Sequence, residues 1–190
     1  MPVYDFQKYA RRKKNLLPTI LTAIVALFGF RRRSGKIIVL CLLAAAALLG
    51  LDFPGQDYQG RAEVVDGDTL HLGGQRIRLY GIDAPESDQT CTKDGAAYRC
   101  GAQATAALAS KIGDQTVTCR EKDIDKYQRI VAICSVGGTD LNRWLVSEGY
   151  AVAYQDYSIR YLFQEFQARS AGRGIWSGEF QNPADYRHGR

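Results

Sequence analysis

The chain has 190 residues, of which 46% are hydrophobic and 24% are charged. This balance supports one globular domain with a full core and argues against a disordered or fibrous protein. The net charge of +5 is unevenly distributed, because residues 1–50 carry nine basic and one acidic side chains and the remainder carries 16 basic and 19 acidic. The basic character therefore belongs to the N-terminal extension and does not point to nucleic acid by itself.

Two uncharged apolar runs, at residues 15–30 and 37–51, each follow a basic cluster. Both are short for spanning a bilayer, since a fifteen-residue helix covers about 22 Å of a roughly 30 Å hydrocarbon core. Two spans would also place Arg31–Arg33 outside the cytoplasm, against the positive-inside tendency. We therefore predict that residues 1–52 form a membrane anchor or signal segment, with residues 37–51 in the membrane. The following domain would lie outside the cytoplasm, in the periplasm or the extracellular space. Cleavage near Ala44–Ala47, which would secrete it, is the alternative.

After a linker at residues 53–60, the chain changes to short strand patterns. Strands are predicted at residues 61–65, 69–72, 75–80, 115–120 and 129–136. The pair Gly73–Gly74 is typical of a type I′ hairpin turn. The predicted domain covers residues 61–180 and is followed by a tail at 181–190.

Three helices are predicted between and after these strands, at residues 101–112, 141–148 and 157–171. Each is followed by glycine, a common helix end, and Asp140 is a candidate cap for the second. Five strands and about three helices fit an α+β, mainly β fold. The arrangement is typical of a small Greek-key barrel of the oligonucleotide-binding type.

Four of the five cysteines lie after the extension: Cys91, Cys100, Cys119 and Cys134. An even number in an oxidising compartment permits two disulfides, with three possible pairings. We favour the local pairing, Cys91 with Cys100 across a loop and Cys119 with Cys134 across two strands. A zinc site is the rival, although no Cys-x-x-Cys spacing occurs.

Three acidic residues, Asp66, Asp68 and Asp83, lie at predicted strand ends. Two carboxylates, a backbone carbonyl and water would form an oxygen-ligand site that suits calcium better than zinc. The alternative is that both acidic segments are ordinary turns whose carboxylates cap the backbone.

Glu86 and two arginines extend this acidic pattern. A carboxylate held in place after Pro85 can take a proton from water. Arg78 and Arg129 suit a phosphate or its transition state. Each residue alone could equally be a solvated surface side chain, but their joint occurrence predicts metal-assisted chemistry on phosphodiesters.

Several motifs together resemble the staphylococcal nuclease-like (thermonuclease) family. They are Val65–Thr69, Arg78–Glu86, Asp125–Arg129, Gly149–Tyr154 and Gly174–Trp176, and the similarity extends over about residues 61–176. The resemblance implies a five-stranded oligonucleotide-binding barrel with three helices. It also implies Ca²⁺-dependent cleavage of DNA and RNA to 3′-phosphate ends, and we expect a monomer.

The resemblance also implies roles for individual residues. Calcium ligation is implied for Asp68, Asp83 and the backbone carbonyl of Ala84, with Asp66 in the outer shell. Catalysis is implied for the general base Glu86 and the phosphate-holding residues Arg78 and Arg129. Contacts to phosphate and bases are implied for Lys126, Tyr127 and Tyr154.

Two positions depart from the family pattern. Ala84 replaces a threonine of several relatives, which is harmless if only its carbonyl binds metal. Gln128 replaces a glycine common before the second arginine. If this position requires positive φ, the side chain costs about 1 kcal/mol and could displace Arg129.

The rival function is that of a catalytically weak or inactive barrel that binds nucleic acid without cutting it. The complete set of predicted catalytic and ligand residues argues against such degeneration. A membrane-anchored structural protein is a third interpretation, and it rests only on the N-terminal segment.

Overall fold

The computed structural model describes residues 55–189, so the predicted membrane segment at residues 37–51 lies outside the described range. Within residues 55–189, no helix combines the length and apolar character needed to cross a membrane.

Short strands account for most of the regular structure in this range. In chain order they are β1 (Asp57–Gly60), β2 (Ala62–Asp66), β3 (Thr69–Leu72), β4 (Gln75–Leu79), β5 (Ile82–Asp83), β6 (Cys91–Lys93), β7 (Ala96–Tyr98), β8 (Val117–Ile124), β9 (Ile130–Val136), β10 (Thr139–Asp140) and β11 (Val152–Ala153). The helices are α1 (Cys100–Ile112), α2 (Leu141–Ser147), α3 (Leu162–Ser170) and α4 (Pro183–His188), with a 3₁₀ turn at Gly174–Ser177.

The main sheet is a curled half-barrel in the order β1-β8-β9-β4-β3-β2, with β10 paired to β9. Its neighbouring strands are antiparallel except for β4 and β9, which run parallel. Gly73 and Gly74 have φ of +58° and +79°, as the predicted hairpin turn between β3 and β4 requires. This mainly β arrangement with helices fits the predicted oligonucleotide-binding type of fold.

The five predicted strands are present as β2, β3, β4, β8 and β9, but the sheet of the described range has seven strands. One addition, β1, comes from the segment assigned as a linker. It pairs with β8 from Asp57 opposite Arg120 to Gly60 opposite Val117. The sequence did not indicate a strand there because Asp57–Gly60 is polar and short. The segment becomes a strand through its backbone pairing with β8.

The predicted third helix also needed correction, because α3 begins at Leu162 and not at Tyr157. The Ser158 N–H donates to the Tyr154 carbonyl, and the Arg160 N–H donates to the Ser158 hydroxyl. These bonds shape residues 157–161 as turns. A fourth helix, α4, lies in the segment predicted as a tail.

The core lies between the sheet and the helices α1 and α2. It contains the fully buried side chains of Leu70, Ile77, Leu108 and Leu145. Successive residues of a strand point to opposite faces, so Ile77 enters the core while Arg78 points away from it. This alternation supplies a rigid base for Arg78.

Both predicted disulfides are present. Cys91 is bonded to Cys100, which joins β6 to the start of α1. Cys119 is bonded to Cys134 across directly paired positions of β8 and β9. Because all four thiols are used in disulfides, the rival zinc interpretation is wrong.

Candidate active site

A cleft of about 360 Å³ brings the predicted site residues together. Its walls include Asp66, Asp68, Arg78, Ala84, Glu86, Lys126, Tyr127, Arg129 and Tyr154. Asp83 does not reach the surface of the cleft, because its side chain is 0% exposed and lies beneath two arginines. Sequence positions from three separate stretches therefore converge on one opening.

The Asp66–Asp68 segment is a turn between β2 and β3. The Asp68 N–H donates to the Asp66 carboxylate at 3.0 Å, so Asp66 caps the backbone as the turn interpretation predicts. Asp68 nevertheless points into the site, where its Oδ2 accepts the Ala84 N–H at 3.0 Å. Burial, followed by repulsion from Asp68, raises the pKa of Asp66. The turn thus concentrates negative charge at one end of the sheet.

Arg78 bridges the two principal acids. Its Nη1 donates to Asp68 Oδ1 and its Nη2 to Asp83 Oδ1, both at 2.7 Å. Burial alone would lower the pKa of Arg78, but the two carboxylates outweigh it and raise the pKa. For Asp83, burial is the largest influence and raises the pKa despite the neighbouring guanidiniums. The Arg78 guanidinium therefore holds the two carboxylates close to each other.

Glu86 is fixed by its backbone. Its N–H donates to the Gln89 side chain at 3.1 Å, and its carbonyl accepts the Gln89 N–H at 2.7 Å. Gly101 of α1 packs directly on this loop, since a Cβ there would lie 1.7 Å from the Glu86 carbonyl oxygen. The carboxylate itself remains 31% exposed at the cleft. Its position is therefore defined while its access to water is retained.

The segment from Asp125 to Arg129 is a turn organised by one carboxylate. Asp125 Oδ1 accepts the N–H groups of Tyr127 and Arg129, and its Oδ2 accepts Arg129 Nε at 2.7 Å. Partial burial would raise the pKa of Asp125, but these hydrogen bonds outweigh it and lower the pKa. Gln128 has φ of +61°, so the position does adopt the conformation that favours glycine. Arg129 lines the cleft with Gln128 in this conformation.

Aromatic side chains form part of the cleft wall. Tyr127 is 67% exposed. Its ring lies 5.0 Å from Lys126 Nζ and 5.4 Å from the Arg129 guanidinium carbon. Tyr154 packs against Tyr157 with ring centroids 5.0 Å apart. Tyr154 is only partly exposed, so Tyr127 is the more accessible of the two rings. An exposed ring beside basic groups is suited to stacking with a base next to a phosphate.

Sequence reasoning missed Arg187 on α4. This residue donates to both oxygens of Asp83 at 2.8 Å and to Glu86 at 2.9 Å. The pair Asn182–Pro183 is a recognisable helix start, and Asn182 does cap the helix by accepting the Ala184 N–H. No local pattern shows that this helix returns to Asp83, which is 104 positions earlier.

The donors near Arg78 suit a hard cation in their chemistry. The carboxylates of Asp68 and Asp83, with the nearby backbone of Ala84, offer only oxygen, which favours Ca²⁺ over zinc. Within residues 55–189, no three acidic, histidine or cysteine side chains already converge as a metal site. The residues fit a calcium ion whose binding requires Asp83 to exchange a guanidinium for the metal.

The chain matches the family model described as staphylococcal nuclease homologue over residues 76–178, which is more than half of its length. The chain belongs to the staphylococcal nuclease-like family. The family match begins after Asp66 and Asp68 and ends before Arg187.

Several relatives are similar to this chain over most of their own length. The succinoglycan biosynthesis protein ExoI of Rhizobium meliloti is 38% identical over 136 residues, covering 69% of this chain and 71% of that protein. The micrococcal nuclease of Shigella flexneri is 32% identical over 154 residues, with coverages of 71% and 83%. An uncharacterized endonuclease of Escherichia coli is 33% identical over 129 residues, with coverages of 64% and 78%.

Proposed function

We propose that the protein is a Ca²⁺-dependent endonuclease that hydrolyses phosphodiester bonds of DNA and RNA and leaves 3′-phosphate ends. The main support is one cleft in which Arg78, Arg129, Asp68 and Glu86 meet above the buried Asp83. Family membership and the relatives named as nucleases support the coarser part of this proposal, which is nuclease activity.

The oxygen donors would hold the cation. In this proposal Asp68, Asp83 and the carbonyl of Ala84 are ligands, and Asp66 acts from the outer shell. A bound calcium ion would neutralise charge on a phosphoryl oxygen and make a nearby water easier to deprotonate.

Glu86 is the proposed general base. Its carboxylate is partly exposed on the cleft and its backbone is held by the Gln89 contacts, so the carboxylate can accept a proton from a water placed for in-line attack on phosphorus. The bond from the leaving 5′-oxygen to phosphorus breaks as the water oxygen bonds to phosphorus, and the departing 5′-oxygen takes a proton from solvent to leave as a hydroxyl. Phosphate therefore stays on the 3′ side.

Arg78 and Arg129 are proposed to hold the phosphate and its developing charge. A guanidinium has five N–H donors. Arg129 donates Nε to Asp125 and lines the cleft, where its remaining N–H donors would be available to a phosphate. Donors that are already held in place in this way stabilise the transition state more than they stabilise the bound substrate.

Lys126, Tyr127 and Tyr154 are proposed substrate contacts. Stacking of a base on an exposed ring contributes about 1–3 kcal/mol and tolerates any base sequence. A cleft that reads backbone charge and ring faces would accept both DNA and RNA.

We further propose that residues 37–51 anchor the protein in a membrane with the catalytic domain in the periplasm or extracellular space. The two disulfides support an oxidising compartment. Secretion after cleavage of the segment is the alternative, and a monomer is proposed in either case. Cell fractionation combined with thiol alkylation tests this: reduced cysteines in a cytoplasmic fraction would contradict it.

The activity is tested by incubating the full chain and Ca²⁺ with single-stranded DNA and RNA oligonucleotides and analysing the product ends by mass spectrometry. We expect 3′-phosphates from both substrates. Arg129→Lys should lower the rate about 100-fold, because lysine lacks the planar fork. The matched control Arg61→Lys makes the same substitution at an 81% exposed side chain that does not line the cleft. This variant should cleave at the normal rate. Binding without cleavage by the unmodified protein would favour the inactive nucleic-acid-binding barrel.

A further inference from the structure

Arg187 lies in the candidate active site although it is outside the family match, which ends at residue 178. Its Nη1 donates to Asp83 Oδ1 and Glu86 Oε1, and its Nη2 donates to Asp83 Oδ2. A bidentate guanidinium–carboxylate pair is among the strongest side-chain contacts in proteins. Arg187 thus links a proposed metal ligand to the proposed general base.

The segment before Arg187 is fastened to the loop that carries Glu86. Thr92 and Glu179 exchange two backbone hydrogen bonds of 2.8 and 2.9 Å. The fully buried Gln89, which also contacts the Glu86 backbone, donates from Nε2 to the Gln181 carbonyl at 2.7 Å. Helix α4 is therefore placed at the cleft by specific contacts, and the approach of Arg187 to Asp83 follows from them.

The Arg187 contact uses the same carboxylate that a cation would need. An ionised carboxylate has about four lone-pair positions. Asp83 Oδ1 accepts from Arg78 and Arg187, and its Oδ2 accepts from Arg187. The Asp83 side chain is also 0% exposed beneath these groups. A cation can reach it only if a guanidinium moves, and Arg187 is the more accessible of the two, at 31% against 17% exposure.

We propose that Arg187 is a positioning residue that competes with the divalent cation for Asp83 and thereby sets the affinity of the site for Ca²⁺. This inference rests on the proposed function for the identity of the cation. Without metal, Arg187 neutralises Asp83 and holds Glu86. When the cation binds, Arg187 leaves Asp83, and its charge becomes available at the cleft.

Calorimetric titration of the full chain with Ca²⁺, without nucleic acid, tests the competition. Arg187→Ala should bind Ca²⁺ about ten-fold more tightly, because one positive charge is removed from the position that the cation enters. Arg187→Lys should fall between the two, since it keeps the charge but loses the fork. The control Arg61→Ala makes the same charge change at an 81% exposed position and should match the unmodified protein.

A gain of affinity cannot arise from a damaged fold, so it separates competition from a merely structural role. In an Asp83→Asn background, Arg187→Ala should give a clearly smaller gain, because the contested carboxylate is absent and only the general removal of positive charge remains. Equal or weaker Ca²⁺ binding by both Arg187→Ala and Arg187→Lys would overturn the proposal. Nuclease activity is measured separately by DNA cleavage, so failure of either idea can be recognised without the other.

Discussion

Replacing Gln128 by glycine should stabilise the protein. Gln128 has φ of +61°, where an L-residue is about 1 kcal/mol less stable than glycine, and glycine loses a few tenths of this through its freer unfolded chain. The expected net gain is about 0.5–0.8 kcal/mol. With a urea dependence of about 2 kcal/mol per M, the unfolding midpoint should rise by roughly 0.3–0.4 M.

The matched control is Ala106→Gly at an exposed position inside α1. Inside this helix, the introduced glycine should lower the free energy of unfolding by about 1 kcal/mol. The cleavage rate of Gln128→Gly should stay within about two-fold of the original, because Asp125 and not the side chain of residue 128 holds Arg129. A loss of stability equal to that of the control would contradict the strain assigned to Gln128, and a large rise in rate would show that its side chain disturbs Arg129.

Three further outcomes are expected. Asp125→Asn should be less stable at pH 7, and the deficit should disappear as pH falls through about 4 and below. The reason is that the lowered pKa of Asp125 stabilises the fold only while its carboxylate is ionised; a deficit independent of pH in urea titrations would contradict it. Replacing Cys119 and Cys134 by alanine should cost about 3 kcal/mol of unfolding free energy, measured by denaturation, and an unchanged midpoint would count against the bond. Tyr154→Ala should raise KM for single-stranded DNA about ten-fold while Tyr154→Phe leaves it unchanged, and equal effects of both would exclude stacking.

The hairpins and the cysteine pairing were predictable because their causes are local. Gly73–Gly74 fixes a turn through two positive φ values, and the second disulfide joins positions that face each other on paired strands. Strand β1 was not predictable in this way. Its polar sequence becomes a strand because Val117–Arg120 of β8, which pairs with β9 on its other side, offers it a partner, and this is a property of the folded sheet.

The candidate site shows the same division. The motifs around Asp68, Glu86 and Arg129 indicate chemistry through residue type and order, and the structure places these side chains on one cleft. Arg187 belongs to no such motif. Its role depends on α4 folding back over Asp83, which results from tertiary contacts with Gln89 and the β6 strand.

Calcium-dependent cleavage with Glu86 as the base is best tested by single-stranded DNA cleavage with the unmodified chain, Glu86→Gln and the control Glu63→Gln, in Ca²⁺ and in chelator. Glu63 is exposed on β2, so Glu63→Gln makes the same chemical change away from the proposed base. We predict equal Ca²⁺-dependent cleavage by the unmodified chain and Glu63→Gln, no cleavage in chelator, and at least about a 100-fold loss for Glu86→Gln. Cleavage that survives chelation, or that is undiminished in Glu86→Gln, would contradict the account.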